Sequence, residues 1–337
     1  MNKGTKNWLA AACTAGVIGF SAQTQAAGDY LLSTASTGGT YYPVGVALST
    51  LVKVKLQPTQ KINMSAINSA GSGENIKLLR ENETQFAILQ GLYGAYAWNG
   101  TGPLAKDGPQ KELRSVSMLW QNVEHFVVKS EYAKTGTIAD FTALQGKTAG
   151  FGKKNSGSLG SSKTILANLG VDIDKQYNLF YGGYGALTAA VQDGKADAVN
   201  TPAGVPVGAV TKLFAAKGKD VTLLSFTPEQ AKQADGGLGL WTPYPIKAGT
   251  YPGQDKDVTT IAQPNFLAVR ADVSDEDVYQ ITKTIYENLG FLQSIHKATL
   301  AMALNKAIAG LPLPLHPGAV RYYKEAGLTI PDHLIAK

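Results

Sequence analysis

The chain holds a single cysteine, Cys13, and it falls in an apolar stretch near the N-terminus. One cysteine excludes an internal disulfide and a multi-thiolate metal site, so stability has to come from buried apolar surface. Arginine is scarce as well: Arg80, Arg114, Arg270 and Arg321 are the whole set, and none falls in a glycine-rich loop. The loops therefore offer no bidentate guanidinium clamp for a carboxylate. The four histidines, His125, His296, His316 and His333, are scattered, without the spacing that brings two imidazoles to one metal. His125 follows Glu124 in an extended run, where neighbours point to opposite faces, so it reads as structural. There is no Gly-x-Ser-x-Gly elbow and no nucleophile–base pair, so neither a cofactor nor catalysis is expected. Past the N-terminal stretch, apolar runs are broken every few residues by Gly, Pro, Lys or Asp, which excludes a membrane-spanning helix. The net charge of +6 is dispersed, which speaks against nucleic acid and for a small anion as partner.

The N-terminus has a three-part pattern. Lys3 and Lys6 form a basic region, Trp8 to Phe20 an apolar one, and Ser21 to Ala27 a run of small and polar residues. This is the layout of a secretory signal peptide over residues 1–26, cleaved before Ala27. Cys13 lies inside the apolar region, behind Ala10-Ala11-Ala12 and without a leucine-containing lipobox, so it should leave with the leader. A secreted, cysteine-free monomer of about 310 residues is expected, long enough for two cores.

Short apolar strands then alternate with helical patterns, the mark of an α/β fold with largely parallel sheets. Tyr30–Ser33, Ile62–Ala66 and Phe86–Gln90 read as strands, with helices from Tyr42 to Val52 and through Asn75, Leu78 and Leu79. The extended runs Ser115–Trp120 and His125–Lys129 predict a first crossing between lobes. Residues 27–121 are thus assigned to lobe one and 122–262 to lobe two. Within lobe two a strand Lys147–Phe151 leads to a helix Ser158–Leu169, and a helix Leu187–Gln192 leads to a strand Ala196–Asn200. Residues 263–337 return to lobe one through Asn265–Val269, giving a two-strand hinge.

Three strand ends run through Gly/Ser/Thr loops into helix starts. The first contributes Thr37, Gly38, Gly39, Thr40 and Tyr41, the second Ala70, Gly71 and Ser72, and the third Ser156, Gly157, Ser158 and Leu159. Helix N-termini carry unpaired N–H groups and partial positive charge, glycine lets a ligand approach the backbone, and hydroxyls add donors. With Gln90, Thr201 and Pro202 at other strand ends, these residues are the expected ligand-binding set. The run Gly157–Thr164 comes close to a phosphate-binding loop, but Ser162 stands where its second glycine belongs. The acids Asp272, Asp275, Glu276 and Asp277 read as the solvated start of a helix.

The stretch Ser36-Thr37-Gly38-Gly39-Thr40-Tyr41-Tyr42-Pro43-Val44-Gly45 resembles the opening motif of TAXI-family receptors of TRAP transporters. Ser69–Asn75, Phe86–Gln90, Ser156–Ser158 and Leu311–Ala319 are similar to later landmarks of that family, in the same order. The resemblance implies a periplasmic receptor with a type II, clamshell fold that serves TRAP membrane subunits and binds small carboxylates such as glutamate, glutamine or 2-oxoglutarate. One position departs. Many TAXI receptors carry an Asp shortly after the glutamine that ends the third strand, and this chain reads Gln90-Gly91-Leu92-Tyr93. Without that acid a ligand that is all acceptor, 2-oxoglutarate or another oxo- or dicarboxylate, fits better than an amino acid, whose buried ammonium needs a partner. The contrasting expectation from another class is a secreted α/β hydrolase acting on a small anion.

Overall fold

The computed structural model of the chain describes Met1 and residues 28–336, so the expected leader and Cys13 lie outside the described residues. The first strand, β1 (Asp29–Ser33), lies between β2 (Asn63–Ile67) and β3 (Phe86–Gln90), all parallel. Each strand is followed by a helix, and the helices cover the sheet faces. The helix Tyr41–Gln60 buries Val44, Ala47, Leu48, Leu51, Val52 and Leu56, spacings of three and four that make one apolar stripe. The sequence reading ended this helix at Val52, where lysines begin. The helix continues because Leu56 still falls on the buried face, and it stops at Lys61 in left-handed conformation.

Two long strands carry the chain between lobes. β4 (Leu113–Val123) leaves the first sheet and, after Glu124 and His125, enters the second as β5 (Phe126–Lys129). The second sheet also holds β6 (Thr148–Gly152), β7 (Asn178–Tyr181), β8 (Ala198–Asn200) and β9 (Val221–Leu223), in the order β7-β6-β8-β5-β9. The chain returns through β10 (Thr242–Ile246) and β11 (Val258–Arg270). β11 is antiparallel to all its neighbours: β10 and β3 share one of its edges and β4 takes the other. The return strand starts at Val258, before the boundary read at residue 263. Polar Thr260, Gln263 and Asn265 interrupt the apolar alternation that marks a strand in sequence, and all three are buried.

Lobe one has a single core, in which Leu32, Leu48, Phe86, Trp120, Phe266 and Tyr323 pack together. The second sheet is covered on both faces. Phe126, Phe141, Phe151 and Ile165 pack on one side, and Val127, Leu187, Val199 and Phe214 on the other. Phe126 and Val127 are neighbours in β5 and serve opposite cores, as alternation requires. The acidic cluster opens the helix Asp275–Glu287, where Ser274 caps the amide of Asp277. No helix among the described residues is long and apolar enough to cross a membrane.

Candidate ligand-binding cleft

The loops after β1, β2, β6 and β7 meet where the lobes face each other and line a narrow cavity of about 30 Å³. Four helices begin there: Tyr41–Gln60, Ser72–Arg80, Gly157–Asn168 and Tyr184–Gln192. Three of these starts, at Thr40, Gly71 and Gly183, carry no side-chain cap from the N-cap residue. The Glu74 amide donates to the Asn155 carbonyl and the Tyr184 amide to Ser36 Oγ at 3.4 Å, and the other first-turn amides stay open to another acceptor. Gly71 sits at a φ of 118°, a conformation that glycine adopts without strain. The fourth start is capped from within, Ser156 Oγ accepting the amide of Leu159 at 3.1 Å.

Of the residues expected from sequence, Gly39, Thr40, Tyr41, Ala70, Gly71, Ser72, Gln90, Gly157, Ser158 and Pro202 line the cavity. Thr37, Gly38, Ser156, Leu159 and Thr201 do not. Thr37 is exposed, and the Gly38 carbonyl accepts the amide of Ala209 across the lobe boundary. Ser156 and Leu159 are engaged with each other, and Thr201 is wholly buried just behind the wall.

Sequence reasoning missed Ser36, Asn122, Lys153, Gly182, Gly183 and Tyr184, which also line the space. Lys153 was legible as the first side chain after the glycine that ends β6. The Gly182-Gly183 pair following an apolar strand was the available signal for the fourth helix start. Lys153 is the only charged residue on the wall, and no Asp, Glu or His lines it among the described residues. The tyrosines stay neutral: burial raises both Tyr41 and Tyr184 well above the ordinary phenol value. Tyr41 donates to Asn265 Oδ1, and Tyr184 donates to the Pro202 carbonyl at 2.7 Å. Glu74 takes the Ala70 amide with its own carboxylate, so it serves the local turn.

The lobes touch directly around the cavity. Gln90 Nε2 donates to the Gly157 carbonyl at 2.9 Å, Thr40 Oγ1 to the Gly204 carbonyl at 2.9 Å, and the Glu74 amide to the Asn155 carbonyl at 3.0 Å. Such contacts describe a closed clamshell. Behind the floor, where β4 becomes β5, Glu124 is wholly buried and accepts from Asn200 Nδ2 at 2.6 Å and Trp241 Nε1 at 3.3 Å. Burial lifts its carboxyl to about 7. His125 points elsewhere, its Nε2 2.7 Å from the Tyr251 hydroxyl, and burial lowers it to about 4.

The NMT1-like family profile matches residues 32–327, nearly all of the described chain. The chain belongs to the NMT1-like family. Among solved structures, this NMT1-like chain is similar to PhnD1 from Prochlorococcus marinus (MIT 9301) in complex with methylphosphonate. The identity is 15% and the TM-score 0.51, over 81% of this chain and 90% of that one. It is also similar to a protein of Bordetella bronchiseptica RB50, with 12% identity and a TM-score of 0.52 over 90% and 85% of the two chains. Both likenesses concern the fold, the two-lobed α/β architecture of periplasmic binding proteins, which this NMT1-like chain shares.

Proposed function

We propose that this chain is a periplasmic solute receptor that closes on a small organic anion and delivers it to a membrane transporter, with no bond made or broken. The observation that carries this reading is the cavity wall: uncapped helix starts and Lys153 on one side of the balance, and no acid or imidazole on the other. Hydroxyls of Ser72 and Ser158 stand there without a base to activate them, which sets the hydrolase reading aside. The sequence blocks shared with TAXI receptors support a TRAP permease as the partner. The missing wall acid supports a ligand of the oxo- or dicarboxylate class, such as 2-oxoglutarate, over glutamate or glutamine, whose ammonium would be buried unpaired.

A thermal-shift screen tests the reading. Saturation at 100 times the dissociation constant adds about 2.7 kcal/mol, a visible rise in Tm. 2-Oxoglutarate is expected to produce it and glutamate to produce much less. A screen in which glutamate stabilises best would reverse the ligand class. Methylphosphonate, the ligand of the similar PhnD1, is the informative non-carboxylate comparator.

A further inference from the structure

The cleft floor carries two amides, Gln90 and Asn122, and two more stand beside them on the adjoining strand β11, outside the cavity lining. In the strand registers Gln90 stands opposite Asn265, and Asn122 stands opposite Gln263. Opposed residues in an antiparallel pair project to the same face. Amide groups are ambiguous in orientation unless a neighbour of fixed polarity decides it. Here two backbone groups decide. The Gly157 carbonyl can only accept, so Gln90 must present Nε2 to it and turn Oε1 inward. Asn122 then must present Nδ2 to Gln90 Oε1, at 3.1 Å, which leaves Asn122 Oδ1 as an acceptor. On the neighbouring strand the Leu92 amide can only donate, so Gln263 presents Oε1 to it at 2.9 Å and keeps Nε2 as a donor.

Both remaining atoms, Asn122 Oδ1 and Gln263 Nε2, are buried without a hydrogen-bond partner among the described residues. Asn122 lines the cavity and is 2% exposed. An unpaired acceptor at the floor of an otherwise donor-lined site is costly unless the ligand supplies a hydrogen. A carboxylate or oxo oxygen cannot. A hydroxyl can, and its oxygen at the same time accepts from one of the donors of the wall.

We infer that the ligand carries a hydroxyl beside its carboxylate, read by Asn122 Oδ1, so that hydroxy acids bind more tightly than the oxo acids of the same skeleton. This rests on the reading of the cavity as an anion site and narrows the substituent that the anion bears. The charge contributions of Lys153 and the helix starts are common to both members of each such pair, so the comparison isolates the floor.

Calorimetry tests it on the full mature chain, unfolded and refolded to remove any co-purified metabolite. The probes are two matched pairs, 2-hydroxyglutarate with 2-oxoglutarate and malate with oxaloacetate. In at least one pair the hydroxy acid is expected to bind about tenfold more tightly, and Asn122→Ala is expected to bring that ratio to about one. A wild-type ratio of about one, or a preference for the oxo acid, overturns the hydroxyl reading while the anion reading stands, because both acids bind. A tenfold ratio that survives in Asn122→Ala overturns the assignment to Asn122. Absence of binding by all four acids overturns both readings. The wild-type ratio decides the matter even if Asn122→Ala does not fold.

Discussion

Two side chains set the electrostatics of the cleft from opposite directions. Lys153 is half-buried on the wall and supplies a full positive charge where the helix starts supply partial ones. Its partial exposure moderates what it contributes. Lys153→Met is expected to raise the Kd of the bound acid about three- to tenfold at low salt, and by less at high salt. Calorimetry at two ionic strengths checks this, and an unchanged Kd at low salt would remove Lys153 from the site. Glu124 sits under the floor with a carboxyl raised from 4.5 to about 7, because burial outweighs the hydrogen bonds it accepts. The folded chain therefore keeps a proton that the unfolded chain releases between those values, and stability falls as pH rises through that window. His125, lowered to about 4, acts in the opposite sense, its effect fading as pH rises past its ordinary 6.5. His296 and His316 are lowered by burial as well and act in the same sense as His125, so the Glu124 contribution is read as the difference between the wild type and a variant without that carboxyl. As pH falls from 8 to 6.5 the wild type is expected to gain Tm relative to Glu124→Gln, whose profile lacks this titration. An identical slope in the variant would assign the titration elsewhere. Glu124 and Lys153 were both plain in the sequence as residues. What was hidden was their environment, which is set by partners far along the chain, Asn200 and Trp241 for Glu124 and the Gly183 loop for Lys153.

At the scale of elements, the glycines of the cleft do more than admit a ligand. A Cβ on Gly157 would stand 2.9 Å from both the Gln90 amide carbon and the Ser72 side chain, which belong to the other lobe. One on Gly38 would stand 2.9 Å from the Gly185 amide, again across the boundary. At these positions one lobe packs directly on the other, so the helix start at Gly157 is a closure surface as well as part of the proposed anion site. Gly157→Val is accordingly expected to fold with nearly unchanged ligand-free Tm but to remain open. In small-angle scattering with saturating ligand, the wild type contracts and the variant keeps its ligand-free radius of gyration. Contraction equal to that of the wild type would show the seam tolerates the added bulk. Helix starts preceded by Gly/Ser/Thr loops were readable after the five-residue strands Asp29–Ser33, Asn63–Ile67 and Thr148–Gly152. The start at Tyr184 was not, because β7 has only four residues and none of them is fully buried. β10 was hidden for a different reason: Pro243 and Pro245 mimic a turn, yet they sit at the sheet edge, where a missing N–H is tolerated.

At the scale of the whole molecule, the two-lobed α/β plan was legible because strand and helix periods alternate clearly in both halves. The two-strand hinge was legible too, with Gln90 and Asn265 read into strands, but Asn122 and Gln263 were not, since amides there look like loop residues until β4 and β11 are seen to pair. The position of β11 has a consequence for how the chain acquires its structure. β11 fills the edges of both β3 and β4, and it is the last strand to be synthesised. The second sheet has all of its strands by Leu223, whereas β4 must wait for a partner on the order of 140 residues downstream. Pairings at that separation form slowly, and until they form the edges of β3 and β4 stand unprotected. Assembly is therefore ordered from the inserted lobe outwards: lobe two can become compact as a continuous segment, while lobe one stays incomplete and open to edge-to-edge association until Arg270 has emerged.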